Sequence, residues 1–198
     1  TYGLAPMDNR NTRLDRGNLD FIRRHAMRAN YVYDLPFGRG KTFLNSVTGV
    51  ADKLLTGWQL TGIAGVDTGE PFSATFTSTT LGWPSSRADI AGDPTPGHHS
   101  IAQWFNPAAF ATPAPFLYGN SARNMLFGPG YFDWDAGIFK NTAVTEGTML
   151  EFRAEFFNFL NHANVGLPAS NISVPATVGR INSAGNPRTI QFGMCLRF

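Results

Sequence analysis

Residues 188–198, Arg-Thr-Ile-Gln-Phe-Gly-Met-Cys-Leu-Arg-Phe, alternate without a break. Ile190, Phe192, Met194, Leu196 and Phe198 fall on one parity, and Gln191, Gly193, Cys195 and Arg197 on the other. Successive side chains of a strand point to opposite faces, so a strand here has one greasy face and one polar or small face. Phe198, the last residue, belongs to the greasy set. Chain ends of soluble domains fray in polar surroundings. A terminal Phe makes sense in a sheet whose outer face meets lipid.

Four further stretches carry the same period. In 21–35, His25, Met27, Ala29, Tyr31, Tyr33 and Leu35 oppose Arg24, Ala26, Arg28, Asn30, Val32 and Asp34. The run 35–40, Leu-Pro-Phe-Gly-Arg-Gly, stops that strand, since Pro lacks a ladder donor and Gly favours turns. Over 58–76, Trp58, Leu60, Ala64 and Val66 alternate with Gln59, Thr61 and Asp67, with Ile63 out of pattern. A strand at 131–140 sets Phe132, Trp134, Ala136 and Ile138 against Asp133, Asp135 and Gly137. Another at 148–160 sets Leu150, Phe152, Ala154 and Phe156 against Glu151, Arg153 and Glu155, after a short polar turn at 141–147.

The remainder is mostly connection. Residues 1–19 are polar loop without period. Val47, Val50, Ala51, Leu54 and Leu55 recur at helical spacing, which predicts one short amphipathic helix ended by Gly57. The proline-rich stretch 77–130 is far too long for a hairpin and has room for short strands or a helical turn around 101–110. Residues 161–187 form a second long Gly/Pro/Asn loop.

The C-terminal pattern polar–x–Gly–x–x–apolar–x–aromatic, met by Gln191, Gly193, Leu196 and Phe198, resembles the signal by which bacterial outer-membrane β-barrels are recognised for insertion. The stretches 31–44 (YVYDLPFGRGKTFL), 57–64 (GWQLTGIA), 104–110 (WFNPAAF), 119–135 (GNSARNMLFGPGYFDWD) and 151–163 (EFRAEFFNFLNHA) resemble the C-terminal barrel region of TonB-dependent outer-membrane receptors. Within that family the chain resembles the subgroup whose members carry an N-terminal carboxypeptidase-regulatory-like domain. The resemblance implies a wall segment of a barrel for solute uptake in the bacterial outer membrane. It also implies a plug domain and a docking segment elsewhere in a longer protein. With no Met and no signal peptide at its start, the chain reads as a C-terminal fragment.

Composition agrees with an all-β, antiparallel, membrane-type sheet. Charged residues are 15% of the chain against roughly a quarter in soluble domains, and there are 17 Phe, 21 Gly and 13 Pro. No run of about 18 apolar residues provides a transmembrane helix. The net charge of +2 carries no basic block, so nucleic acid is not an expected partner. Cys195 has no intrachain partner and is expected to be a packed thiol.

Transmembrane barrels put long loops outside and short turns on the periplasmic side. Counting back from a terminal strand that ends at the periplasm, 141–147 and 36–57 are periplasmic, and 77–130 and 161–187 extracellular. The connection 36–57 is long for a periplasmic turn. Tyr31, Tyr33, Trp58 and Phe198 then mark an aromatic girdle at one membrane boundary. Arg24, Arg28, Asp34, Asp133, Asp135, Glu151, Arg153, Glu155 and Arg197 face a wet lumen and balance one another. Such confinement needs no catalysis, because lipid-facing Arg or Lys costs about 2–4 kcal/mol at midplane.

Five long strands are too few to close, since the smallest transmembrane barrels use about eight. Either the remainder of the receptor barrel covers the open edges, or copies of this chain pair edge to edge as a homo-oligomer, tube or filament. In the second case a released fragment would be extracellular. A soluble β-sandwich, as a carbohydrate-binding module or glycosidase, would need a second sheet against the greasy faces, and the strands are few for that.

Chemistry offers little, and no enzyme and no cofactor are expected. His98 and His99 are adjacent, His25 and His162 isolated, and no zinc spacing occurs. Gly38-Arg39-Gly40-Lys41-Thr42 lacks the leading Gly of a phosphate loop, position 35 being Leu. No Gly-x-Ser-x-Gly is present. Asn171-Ile172-Ser173 fits a glycosylation acceptor without further support. The loop 104–124, with Trp104, Phe105, Asn106, Phe110, Phe116, Tyr118, Asn120, Arg123 and Asn124, could contact a saccharide or peptide, or simply pack on itself.

Overall fold

A computed structural model describes residues 6–81 and 86–198. The loop readings for 1–5 and 82–85 lie outside these residues. In chain order the strands are β1 (Ala26–Asp34), β2 (Trp58–Asp67), β3 (Pro71–Phe72), β4 (Thr75–Phe76), β5 (Ser86–Arg87), β6 (Asp89–Ile90), β7 (Phe110–Ala111), β8 (Leu126–Phe127), β9 (Tyr131–Thr145), β10 (Thr148–Phe157) and β11 (Thr189–Arg197). One helix, α1 (Val50–Leu55), precedes β2, and 3-10 turns occupy Thr12–Asp15 and Pro107–Ala109. The chain is all-β and antiparallel, as its alternation predicts.

The long strands form one five-stranded sheet in the order β1-β2-β9-β10-β11. Leu35 N–H donates to the Trp58 carbonyl at 2.9 Å, and Thr68 N–H to His25 at 2.9 Å, so β1 and β2 run antiparallel. Asn141 N–H donates to Gly57 at 2.9 Å, which sets β9 against β2. β10 pairs with β9 through Phe152↔Lys140 and Ala154↔Ile138, and with β11 through Ala154↔Phe192 and Glu151↔Cys195. β1 and β11 are open margins, and the sheet does not close on itself within the described residues.

Several boundaries differ from the sequence reading. β1 starts at Ala26 rather than 21, so Arg24 and His25 lie ahead of the strand. β2 stops at Asp67 rather than 76. Gly69 there lies directly against the Gly128 carbonyl, an approach only a residue without Cβ allows, and the chain turns into β3. β9 runs on to Thr145, leaving Glu146-Gly147 as the turn instead of 141–147. β-Branched Thr142, Val144 and Thr145 favour that extension. The helix begins at Val50, after Gly49 at φ 71°, and omits Val47.

Gly57 ends the helix as expected, at φ 83°, and a side chain there would strike the Asn141 backbone carbonyl. Gly57→Ala is therefore expected to cost at least about 1–2 kcal/mol from backbone conformation alone, with the collision added. Urea unfolding of the refolded protein checks it; an unchanged midpoint would contradict this geometry.

The chain divides into two compact units. One comprises Met27–Val66, Phe132–Ala163 and Asn186–Phe198, and holds most of the large sheet. The other comprises Asp67–Tyr131, Asn164–Gly185 and the N-terminal stretch up to Ala26. The second has its own core of Phe72, Ala74, Ala88, Phe105, Ala109, Phe110 and Leu126. Phe105 stands at its centre, edge-on to Phe72 at 5.8 Å and to Phe110 at 5.9 Å.

Candidate functional site

The ladder sorts the sheet's side chains into two faces. On one lie Met27, Ala29, Tyr31 and Tyr33 of β1, Trp58, Leu60, Ala64 and Val66 of β2, and Phe132, Trp134, Ala136 and Ile138 of β9. Leu150, Phe152, Ala154 and Phe156 of β10 and Ile190, Phe192, Met194 and Leu196 of β11 continue it, as the paired registers require. Phe192 stacks on Phe152 at 6.2 Å and stays 68% exposed. Tyr31 lays its ring over Gly62, where a Cβ would meet it at 2.5 Å. An aromatic ring thus covers backbone that a glycine would leave bare.

Lys140 is a charged exception on this face, since Phe152↔Lys140 puts it on the apolar parity, as Leu150↔Thr142 does the polar Thr142. The Lys140 side chain does not stay there. Nζ turns back to the Thr56 carbonyl and to Asn141 O at 3.3 Å, with the Trp58 ring 5.7 Å away. A long cationic side chain can bury its stem on an apolar surface and keep its head among acceptors. Alternation alone assigned Lys140 no role.

The opposite face gathers eight of the nine charges expected in one place: Arg28, Asp34, Asp133, Asp135, Glu151, Arg153, Glu155 and Arg197. Arg24 is absent because it precedes β1. Arg197 Nη2 pairs with Glu151 Oε2 at 2.7 Å, and Gln59 donates to Asp34 at 2.8 Å. Gly193 leaves room for Arg153, whose Nε would be 2.5 Å from any Cβ added there. A shallow depression of about 330 Å³ opens among Asn30, Thr61, Asp135, Gly137 and Glu155. The face is not wholly polar. Val32, Ile63 and Phe139 share its parity, and the Phe139 ring covers Gly137. Cys195 also lies here, exposed rather than packed, because β11 is a margin of the sheet among the described residues.

Gln191, Gly193 and Leu196 all sit within β11, and Phe198 follows it, 95% exposed. Of the expected aromatic girdle, Trp58 opens β2, and Tyr33 lies one same-face step in from Leu35. Tyr31 is about 13 Å along the strand from Leu35, closer to its middle than to its end.

At the other strand ends, an asparagine corner escaped the sequence reading. Asn158 adopts φ 51°, and its backbone N–H donates to Asp135 Oδ1 at 2.9 Å. Its side-chain amide donates to the carbonyls of His162 (2.9 Å) and Asn186 (3.2 Å), while its Oδ1 accepts from His162 N–H at 2.8 Å. Asn tolerates the left-handed region better than other side chains, and buried amides need such partners.

The second unit absorbs most of the aromatic and amide-rich loop. Phe105 and Phe110 are core; Asn106 caps the 3-10 turn, accepting from Ala108 N–H at 3.2 Å; Trp104 Nε1 donates to Phe127 O at 2.8 Å. Asn120 accepts from Ile90 N–H at 2.8 Å. Arg123 pairs with Asp20 at 3.1 Å, and Asn124 bonds with Asn18, Asp20 and Ser73. Tyr118 is partly buried, and Phe116 points outward. The packing reading therefore accounts for nearly all of these side chains. Asp93 is held below the usual carboxylate range by the Thr95 backbone N–H and hydroxyl, which fixes a tight turn. His99 engages the Trp104 carbonyl at 2.6 Å. Among the described residues no His/Cys/Asp/Glu group has metal-binding geometry.

A protein-family model described as an outer membrane beta barrel domain matches residues 1–191. No curated protein and no solved structure matches the chain.

Proposed function

The chain belongs to the outer membrane β-barrel domain family, and from that membership we propose that it is a non-catalytic wall segment of a TonB-dependent receptor for solute uptake. The observation that carries this is the open five-stranded sheet with one continuous apolar face. Lipid meets that face, the charged face lines the lumen, and the remainder of the receptor barrel supplies strands to the margins of β1 and β11. Gln191, Gly193, Leu196 and Phe198 act as the insertion signal. Tyr33, Trp58 and Phe198, with Tyr31 deeper, lie towards the periplasmic boundary. The connections 77–130 and 161–187 are extracellular.

The full-length receptor carrying this segment is expected to bind the periplasmic domain of TonB, and to vanish from the outer membrane when Phe198 is deleted. A receptor that inserts but never binds TonB would remove uptake from the reading and leave the barrel. A second reading has its own observation: every residue of β1 and nearly every residue of β11 is exposed. Copies could therefore add strand to strand into a tube or filament. Light scattering separates the two, since a stable 21.6 kDa monomer in buffer would end self-assembly.

A further inference from the structure

We propose that the connection between β1 and β2, residues 36–57, docks on the periplasmic leaflet of the outer membrane and binds anionic phospholipid headgroups. This rests on the barrel reading and adds a surface to it. The starting point is a helix with no buried residue, tied to the strands by the Lys53 ammonium on the Val144 carbonyl at 3.4 Å. α1 has amphipathic spacing, yet none of its residues is buried; Val50 is 76% exposed and Leu54 64%. Phe43 and Leu44 ahead of it are exposed too. A helix of six residues has no stability of its own in water, so its form depends on contacts beyond its own turn.

Two features choose lipid as the occupant. The first is continuity with the apolar face: Trp58 Nε1 donates to the Leu54 carbonyl at 2.8 Å, and Trp58 is the first apolar-face residue of β2. The second is charge. Arg39, Lys41 and Lys53 stand in this connection against one carboxylate, Asp52, which already accepts from the Thr56 hydroxyl at 2.6 Å. Lys140 does not add to this set, because it is buried with its ammonium on the Thr56 and Asn141 carbonyls. Apolar side chains that sink to the acyl boundary beside cations at headgroup level are the pattern of an interfacial segment. It also explains why a periplasmic connection is this long.

The receptor is reconstituted in phosphatidylcholine bilayers with and without phosphatidylglycerol, and carries a nitroxide at Leu54→Cys or Phe192→Cys in a Cys195→Ser background. Both labels are expected to be accessible to oxygen and shielded from a water-soluble nickel chelate, with position 54 the shallower. Nickel access at 54 alone overturns the proposal and leaves the barrel reading standing; nickel access at both positions overturns both. A label at 54 shielded from both probes means that protein covers the patch, either the rest of the receptor or a second copy, and also overturns it. In native mass spectrometry, replacing Arg39, Lys41 and Lys53 together by Gln is expected to lower bound phosphatidylglycerol at least about fivefold, the effect of a single basic residue near an anionic surface. Unchanged phosphatidylglycerol binding, or an equal loss of phosphatidylcholine, would overturn the headgroup assignment.

Discussion

Phe192→Arg is expected to remove about 2–4 kcal/mol from the folded, membrane-embedded receptor, while Gln191→Arg, one residue away, changes it by no more than about 0.5 kcal/mol. Phe192 lies near the middle of β11, opposite Ala154, in the row that continues to Ile138. An arginine there must either sit in hydrocarbon or distort the bilayer to reach water, and it also forfeits the stack on Phe152. Gln191 lies opposite Glu155, so an arginine on that face meets a carboxylate in a wet environment. Urea unfolding from liposomes, with both variants in the same lipid, makes the comparison. Equal losses would mean that both faces see one medium, and the assignment of lipid and lumen would fall.

Much of this sheet was legible because a two-faced strand leaves its mark on every second residue. The greasy set of 188–198 needed no structure to identify, but matching like face to like leaves every shift of two residues open, so registers such as Ala154↔Phe192 come from the ladder itself. Ends were harder. Nothing in the alternation distinguishes Arg24 from Arg28, yet β1 starts between them, because a strand begins where its partner begins and that is a property of two segments. Val32 already stood on the charged parity and Ile63 already stood out of pattern, and the structure keeps both on that face, since an uncovered face imposes little penalty on an occasional apolar group. Lys140 broke the parity rule because its long stem lets charge and backbone position be separated.

The loop unit was opaque at a deeper level. Its strands are only two residues long and pair across wide gaps in sequence, as with Pro71↔Phe127 and Ile90↔Phe110, so no local period exists to find. What orders it is a set of long-range polar contacts whose members, taken singly, resemble any surface Arg, Asp or Asn. Arg87 is the clearest case: it falls in the stretch 77–130 read as connection, where no pattern singles it out, and lies at the centre of a web.

That web carries the other large expected effect. Arg87→Ala is expected to cost about 3–5 kcal/mol in the loop unit, because it strips the counterion from a largely buried carboxylate. Arg87 Nη1 pairs with Asp15 Oδ1 at 2.7 Å, with side-chain exposures of 10% and 13%. Its Nε donates to the Ser121 carbonyl at 3.1 Å and its Nη2 to that of Leu14. Asp15 Oδ2 also accepts from Met7 N–H at 2.7 Å, so the one cation holds the N-terminal segment through two acceptors, Asp15 and the Leu14 carbonyl, and ties it to Ser121. Limited proteolysis of the membrane-inserted receptor is expected to cut the variant between residues 7 and 20 while the large sheet resists. The double variant Arg87→Ala/Asp15→Ala should regain part of the loss, since no buried charge is then left alone. The exposed pair Arg197–Glu151 supplies the control: with Arg197 64% exposed, Arg197→Ala should cost no more than about 1 kcal/mol. If the two arginine variants proved equally mild, water would have to reach Asp15 as freely as it reaches Arg197, and the loop unit would not be the packed body its core implies.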